Sequence, residues 1–320
     1  MSNITPLPSN SEIDLNAAHE LLASLPAETL WLANFISPNT RRAYKNAVSH
    51  FMAVMEIDNQ ETLYAAAQGH FLAYREHLTV AGYSNPSISA RLAALSSLYK
   101  FLADKQLVST NPVAGVKRPH TGSAGIGSGK TPALTARQVR AMLDAPDVET
   151  IQGLRDRAIL HVFFYTGGRV SEPSKLKVKH FRQDQEYWVL DMTVKGGKRN
   201  TIAIHTECQI ALHRYLQAAG HGDDLEAPLF KAVQLANNQG RPLSSRQFWD
   251  VFRKYARQAG LPAGISTHSS RATFITLAYE AGLQGEDIQR TVGHASIRTT
   301  EGYNQTAKKH RKSASFGVSY

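Results

Sequence analysis

The chain has 320 residues, 42% of them hydrophobic, and its 36 Lys and Arg against 26 Asp and Glu give a formal net charge of +10. That length allows two ordinary domains with separate cores, and no uninterrupted apolar run is long enough to span a bilayer, which excludes a helical membrane protein. Cys208 is the only cysteine, which excludes an internal disulfide and a multi-cysteine zinc site, so the expected compartment is a reducing cytoplasm.

The opening stretch, MSNITPLPSNSEIDLN, has neither the basic start nor the apolar segment of a signal peptide, and residues 1–24 are expected to be a flexible arm. The first forty residues contain no Lys or Arg. The rest carry all 36 basic side chains but only 22 of the 26 acidic ones. Basicity spread through a folded body points to an extended polyanionic partner, nucleic acid above all. Ordinary solubility charge is the plainer alternative.

Residues 25–116 are expected to be a helical domain. Ser37-Pro38 has the form of an N-cap followed by a first-turn proline. Beyond it Tyr44, Ala47, Val48, Phe51, Met52 and Met55 recur at helical spacing as a buried stripe, with Arg42 and Lys45 on the opposite face. A second long helix starts at Asn85-Pro86 and buries Ile88, Leu92, Leu95, Tyr99 and Leu102. Its other side carries Ala90, Ala93, Ser97 and Lys100. Small residues beside a cation let a helix approach a DNA backbone, so Arg42, Lys45, Ser97 and Lys100 are candidate DNA contacts. A merely solvated face fits the same residues.

Asn111-Pro112 ends the bundle, and a Gly/Ser-rich stretch over 117–134 reads as a linker. It contains AGIGSGKT (124–131), which has the spacing of a phosphate-binding loop. Such a loop works only where an apolar strand feeds a turn that opens a helix. Here the preceding VKRPHTGS is polar and broken by Pro119, and the next helix start is Thr135 with Gln138 as its capping partner. Helix and motif are out of register, so the linker reading is preferred over a nucleotide site.

The remainder, 135–320, reads as helices interrupted by one hairpin. HVFFYTGGRVSEPSKLK brings a helix end, a double glycine and Arg169, with Ser171 expected to cap a following helix that tolerates Pro173 in its first turn. YWVLDMTV and NTIAIH are β-rich runs around the turn KGGKR, which puts Lys195 at the hairpin tip. TECQIALHRYL places Cys208 near a helix start as a packing residue. LSSRQFWDVFRKYARQAG is an amphipathic helix through Phe248, Val251, Phe252 and Tyr255, closing at Gly260. In the next helix His268 and Arg271 stand at i and i+3 near the N-terminus, an end that already favours anions. Cations there do little for the helix itself and suit an anionic ligand. TVGHASIRTTEGYNQT then sets His294 after a helix stop at Gly293, with Tyr303 nine residues on.

Arg169 in TGGRVSE, Lys195 in the hairpin, HSSR, VGH and the tyrosine beyond it form, in that order, a set that resembles the tyrosine recombinase (phage integrase) family. The resemblance covers roughly residues 25–310. Pro173 stands where the family's first motif continues with Leu, and His180 where it has Asp; Ser270 and Ala272 replace the Leu and second His of its HxLRH motif. None of these removes a member of the set. The resemblance implies a mainly α fold with a small β-hairpin or sheet, divided into a helical core-binding domain at 25–116, the linker, and a catalytic domain at 135–320.

It also implies roles. Tyr303 would be the nucleophile, Arg169 and Arg271 the clamp on the phosphate, and His268 and His294 further hydrogen-bond donors, with His268 able to assist proton removal. Lys195 would supply the proton to the departing 5′-hydroxyl, and Glu172 would support the site. Such chemistry keeps the bond energy in a 3′-phosphotyrosyl link and uses neither a metal nor another cofactor. The partners implied are double-stranded DNA with paired recombination sites and a homotetramer on it, joined through a Holliday junction, with accessory proteins as further partners. The tail NQTAKKHRKSASFGVSY would pack on a neighbouring subunit. A DNA-relaxing enzyme of the type IB topoisomerase kind, or a DNA-binding regulator with an inactive pocket, are the alternatives.

Overall fold

A computed structural model describes residues 26–120, 131–194, 196–233 and 240–306. The chain divides into two compact units, Met1–Ser123 and Ala124–Tyr320. Among the described residues no helix is long and apolar enough to cross a membrane.

The first unit holds α1 (Ala27–Ala33), α2 (Pro38–Val54), α3 (Gln60–Tyr64), α4 (Gln68–Val80) and α5 (Asn85–Asp104). Ser37 accepts the Thr40 N–H at 3.4 Å and Pro38 opens α2, as the sequence predicts. The apolar stripes of α2 and α5 meet in one core, where Phe51 stacks on Phe71 at 4.7 Å and Tyr99 meets Phe71 edge-on. The buried Tyr99 hydroxyl donates to Leu63 O at 2.5 Å, which ties down the short α3. Asn111 donates to Ser96 O and accepts from the Val113 N–H, both at 3.0 Å, and this turn drops Val113 and Val116 into the core. Further on, the carbonyls of Lys117, Pro119 and His120 accept from Arg75, Ser89 and Asn85, so the first residues of the expected linker lie along this unit. Of AGIGSGKT, all but Thr131 lies outside the described residues.

The second unit is built around α7 (Ile151–Thr166), buried over nearly its whole circumference. Before it α6 (Ala136–Asp144) begins at the predicted capping box: Thr135 Oγ1 accepts the Gln138 N–H, and Gln138 Oε1 accepts the Thr135 N–H. Around α7 stand α8 (Thr206–Ala219), α9 (Ser245–Gln258) and α10 (Thr267–Glu280), followed by the short α11 (Gly285–Val292) and α12 (Ile297–Tyr303). Buried charges on α7 are paired. Arg155 donates twice to Asp156, whose other oxygen accepts the Tyr255 hydroxyl from α9 at 3.0 Å. Cys208 is fully buried in the core, and burial pushes its thiol pKa up, away from reactivity.

The hairpin gains a strand that the sequence reading lacks. β1 (Phe181–Asp184) pairs antiparallel with β2 (Tyr187–Thr193), which pairs antiparallel with β3 (Arg199–Ala203), giving the order β1-β2-β3. β1 is only four residues long, too short to show a period of two. A second correction concerns Ser171, expected to cap an α-helix. Ser171 is exposed, and the chain makes a single 3₁₀ turn, Pro173–Lys175, after Glu172. Leu176 then leaves in an extended conformation and, with Val178, is buried in the core, which stops the helix after one turn.

His161 on α7 is 2% exposed, and neither ring nitrogen has a hydrogen-bond partner among the described residues. Burial first, then the positive charge of Arg157, pushes its pKa down to about 4. The unfolded chain takes up this proton near the ordinary histidine value, whereas the folded protein resists until about pH 4. Stability therefore falls as pH drops through that window, by up to about 1.4 kcal/mol per pH unit from this group. We expect His161→Leu to melt at the same or a higher temperature at neutral pH, with a shallower fall on acidification. Thermal melts across the window check this; a large loss at neutral pH would mean the imidazole is needed.

Candidate active site

Two helix ends converge on Arg271. This residue, in the second turn of α10, is 1% exposed, the largest of the fully buried side chains, and has no carboxylate partner among the described residues. Its guanidinium donates instead to Gly167 O at 2.8 Å, to Val292 O at 2.6 Å and to His294 Nε2 at 3.1 Å. Gly167 ends α7 and Val292 is the last residue of α11, so both carbonyls carry the negative potential of a helix C-terminus. Two helix dipoles stand in for a counter-ion. A guanidinium has five N–H donors, so two remain for a ligand. Burial, then the charge of Arg169, lowers the Arg271 pKa to about 10, which leaves it cationic at neutral pH.

Glycine is required where α7 stops. Gly167 adopts φ +60°, and a Cβ there would stand 3.0 Å from the Phe274 ring. The turn that it makes delivers Arg169, whose guanidinium lies 3.1 Å from Glu172 Oε1. The Glu172 side chain is 4% exposed and its other oxygen takes the Arg169 N–H at 2.8 Å, so one buried carboxylate holds both ends of this arginine. Arg169 keeps 30% of its side chain exposed.

His294 follows Gly293, which ends α11 at φ +64°. Since Nε2 accepts from Arg271, the proton sits on Nδ1 and is donated to the buried Thr300 hydroxyl at 2.9 Å. Burial first, then the charges of Arg271 and Arg169, pushes the imidazole pKa down to about 3, so the ring is neutral. Both nitrogens are engaged, and the expected hydrogen bond from His294 to a phosphate is not what this arrangement offers. The ring instead faces Tyr303, stacked at 5.6 Å between centres and 17° between planes. Tyr303 ends α12 half-buried against Ile275, Ala278, Ile288 and Val292.

His268, the second residue of α10, is exposed; partial desolvation, then Arg271 and Arg169, hold its pKa below the ordinary value, so it is free to accept a proton. Lys195 lies outside the described residues. The hairpin base that carries it leans on the end of α11: Asn200 donates to Thr291 O at 2.9 Å, and a Cβ on Gly293 would come within 2.9 Å of Val194 Cγ1. The fold thus gathers Arg169, Glu172, His268, Arg271, His294 and Tyr303. In the other unit Arg42, Lys45 and Lys100 are exposed, while Ser97 is half-buried and accepts the Trp31 indole N–H at 3.2 Å.

Sequence reasoning missed Thr300, which sets the His294 tautomer, and Thr276, whose hydroxyl donates to Tyr303 O at 3.2 Å. Nothing in a lone sequence marks these threonines: Thr276 meets a backbone atom 27 residues on, and Thr300 reaches the His294 ring only because the turn after α11 folds the two together. Among the described residues no group of three or more His, Cys, Asp or Glu is arranged to hold a metal ion. Two guanidiniums beside a neutral imidazole and a phenol are groups whose chemistry suits a tetrahedral oxyanion.

Comparison with known proteins places the chain in a family. The model of the phage integrase family matches residues 132–310, and that of the phage integrase N-terminal SAM-like domain matches residues 27–106. Tyrosine recombinase XerD of Xanthomonas axonopodis pv. citri (strain 306) is 34% identical over 255 residues, covering 77% of this chain and 79% of that protein. XerD of Pseudomonas putida is 28% identical over 281 residues, covering 88% and 91%. Among solved structures, the XerH site-specific recombinase bound to a palindromic difH substrate after cleavage superposes with a TM-score of 0.71 at 18% identity, over 97% of this chain and 90% of that one. A lambda integrase tetramer bound to a Holliday junction does so with 0.68 at 16%, over 92% and 78%. These two likenesses are of fold.

Proposed function

The chain belongs to the phage integrase family of tyrosine recombinases, and from that premise we infer a site-specific DNA recombinase in which Tyr303 is the nucleophile. The observation that carries the site assignment is Arg271, a buried cation held by helix ends rather than by a carboxylate, beside the stacked His294 and Tyr303. A cation compensated by helix dipoles alone, with two N–H donors to spare, is suited to a phosphodiester.

In the reaction, the Tyr303 phenol oxygen attacks phosphorus in line and the bond to the 5′ oxygen breaks. Arg169 and Arg271 hold the two non-bridging oxygens as charge develops on them. The phenol must lose its proton as attack proceeds; neutral His268 is the acceptor. Lys195 protonates the departing 5′ oxygen. The resulting 3′-phosphotyrosyl ester keeps the bond energy, and the 5′-hydroxyl of a partner strand reverses the step to give a Holliday junction. Glu172 orients Arg169, and Thr300 orients His294.

The partners proposed are duplex DNA with paired sites and a homotetramer assembled on it, as the lambda integrase complex is, with accessory proteins joining the assembly. The place of action proposed is the nucleoid of the cytoplasm. Domain limits are proposed at 25–116, 117–134 and 135–320, and Arg42, Lys45, Ser97 and Lys100 as DNA contacts in the first domain.

The test separates acid from nucleophile. Lys195→Ala should bind DNA but cleave about 10²–10⁴-fold more slowly, the usual loss when a general acid is removed. Replacing the 5′ bridging oxygen by sulfur, a better leaving group, should restore much of that rate. Failure of sulfur to rescue the variant would leave Lys195 as a DNA contact only.

A further inference from the structure

Tyr303 is the last residue of α12, a helix of seven residues, and Asn304 already leaves it at φ −68°, ψ 114°. So short a helix does not hold its own end, and the tyrosine's place must come from outside it. Gln305 supplies an anchor. Its side-chain amide donates to Thr131 O at 2.5 Å and accepts the Ala133 N–H at 3.4 Å, gripping one strand of backbone from both sides. Its own N–H donates to Thr276 Oγ1 at 3.2 Å, and that hydroxyl in turn donates to Tyr303 O. The gripped strand is fastened a second time, since Leu134 is buried and its N–H donates to Thr273 Oγ1 at 2.8 Å. Thr273 and Thr276 belong to α10, the helix of His268 and Arg271.

Residues 131–134 are where the chain comes out of the expected linker. The nucleophile's backbone and the helix bearing the phosphate clamp are thus registered on the same four residues. We propose that Gln305 is a positioning residue for Tyr303, clasping the end of the tyrosine's helix to the chain that emerges from the linker. Through this clasp the linker's exit sets where the phenol oxygen stands relative to Arg271. The proposal rests on Tyr303 being the nucleophile. A displacement of about 1 Å between reacting groups costs up to about a hundredfold in rate.

The experiment uses the full chain and a nicked half-site that traps the covalent complex. Gln305→Ala and Gln305→Glu should each lower the rate of complex formation roughly 10- to 100-fold, with DNA affinity and melting temperature close to those of the parent. Glutamate keeps the length but sets an oxygen against Thr131 O in place of a donor. The decisive arm places the same changes in a Tyr303→Phe background and adds hydrogen peroxide. Hydroperoxide attacks phosphorus in place of the phenol oxygen, and the 5′ oxygen leaves with its proton. That reaction reads the pocket without the tyrosine, and a positioning role predicts that it is unchanged by either substitution. Equal loss of both reactions, or failure of both variants to fold, would make Gln305 a support of the whole pocket and overturn the proposal. So would an unchanged rate of tyrosine-dependent cleavage. A covalent complex formed by Tyr303→Phe alone would instead remove the nucleophile assignment, whatever Gln305 does.

Discussion

Tyr303→Phe should form no covalent protein–DNA complex on a trapping substrate while binding that substrate within about twofold of the parent. The substitution removes one oxygen atom. The ring keeps its stack on His294 and its contacts with Ile275, Ala278, Ile288 and Val292, so the pocket should stay closed around it. No other hydroxyl takes over: Thr300 is buried and bonded to His294, and Thr276 is occupied between Tyr303 O and Gln305 N. Loss should therefore be complete rather than graded, since covalent catalysis has no nucleophile left. Denaturing gels of protein mixed with labelled DNA check it. A residual covalent species would require another attacking group and sink the mechanism.

Arg271 should show the second largest effect, on stability and chemistry together. Arg271→Ala leaves Gly167 O, Val292 O and His294 Nε2 without their donor inside a closed site. A buried acceptor left unsatisfied typically costs about 1–3 kcal/mol, so losing three should cost several kcal/mol, and each kcal/mol lowers the melting temperature of a domain of this size by roughly 2–4 °C. Cleavage should fall by more than about 10³-fold, since a single oxyanion donor alone is worth 10²–10³. Arg271→Lys separates the two effects. It keeps the charge, but one ammonium lacks the planar fork that spans three acceptors and a phosphate. We expect it to recover part of the stability and little of the rate. Calorimetry with single-turnover cleavage decides this. A melting temperature for Arg271→Ala within about 2 °C of the parent would mean that the guanidinium does not join the two helix ends.

Much of this protein is legible along the chain because the signals are local. Ser37-Pro38, the Thr135–Gln138 capping pair and the glycine stop at Gly293 act within one helical turn, and each appears where its spacing puts it. The apolar stripes of α2 and α5 repeat with the period of the helix, so their share of the first core is legible, whereas Trp31, Phe71, Tyr74 and Leu78 join it from elements the sequence reading does not resolve. The order of Arg169, Lys195, His268, Arg271, His294 and Tyr303 is likewise a property of the string of residues, and it was enough to bring the family into view. Where the local signal is short or contested, reading fails. β1 has four residues, and Ser171-Glu172-Pro173 had the look of a helix start until Leu176 and Val178 were drawn into the core.

The sequence by itself thus determined the helical periods, the caps, the charge and the list of reactive groups. Only the tertiary structure decided what each group does with its lone pairs and protons. His294 reads from sequence as a donor to phosphate, yet its Nε2 is taken by Arg271 and its Nδ1 by Thr300, and it becomes the wall on which Tyr303 rests. Arg271 reads as one cation of a pair, yet two helix ends 104 and 21 residues away compensate its burial. Gln305 carries no signal at all, because its partners lie 174 and 172 residues earlier and are backbone atoms, which no side-chain pattern encodes. Hydrogen bonds and helix dipoles act over a few ångströms of space, whereas sequence records only neighbours along the chain.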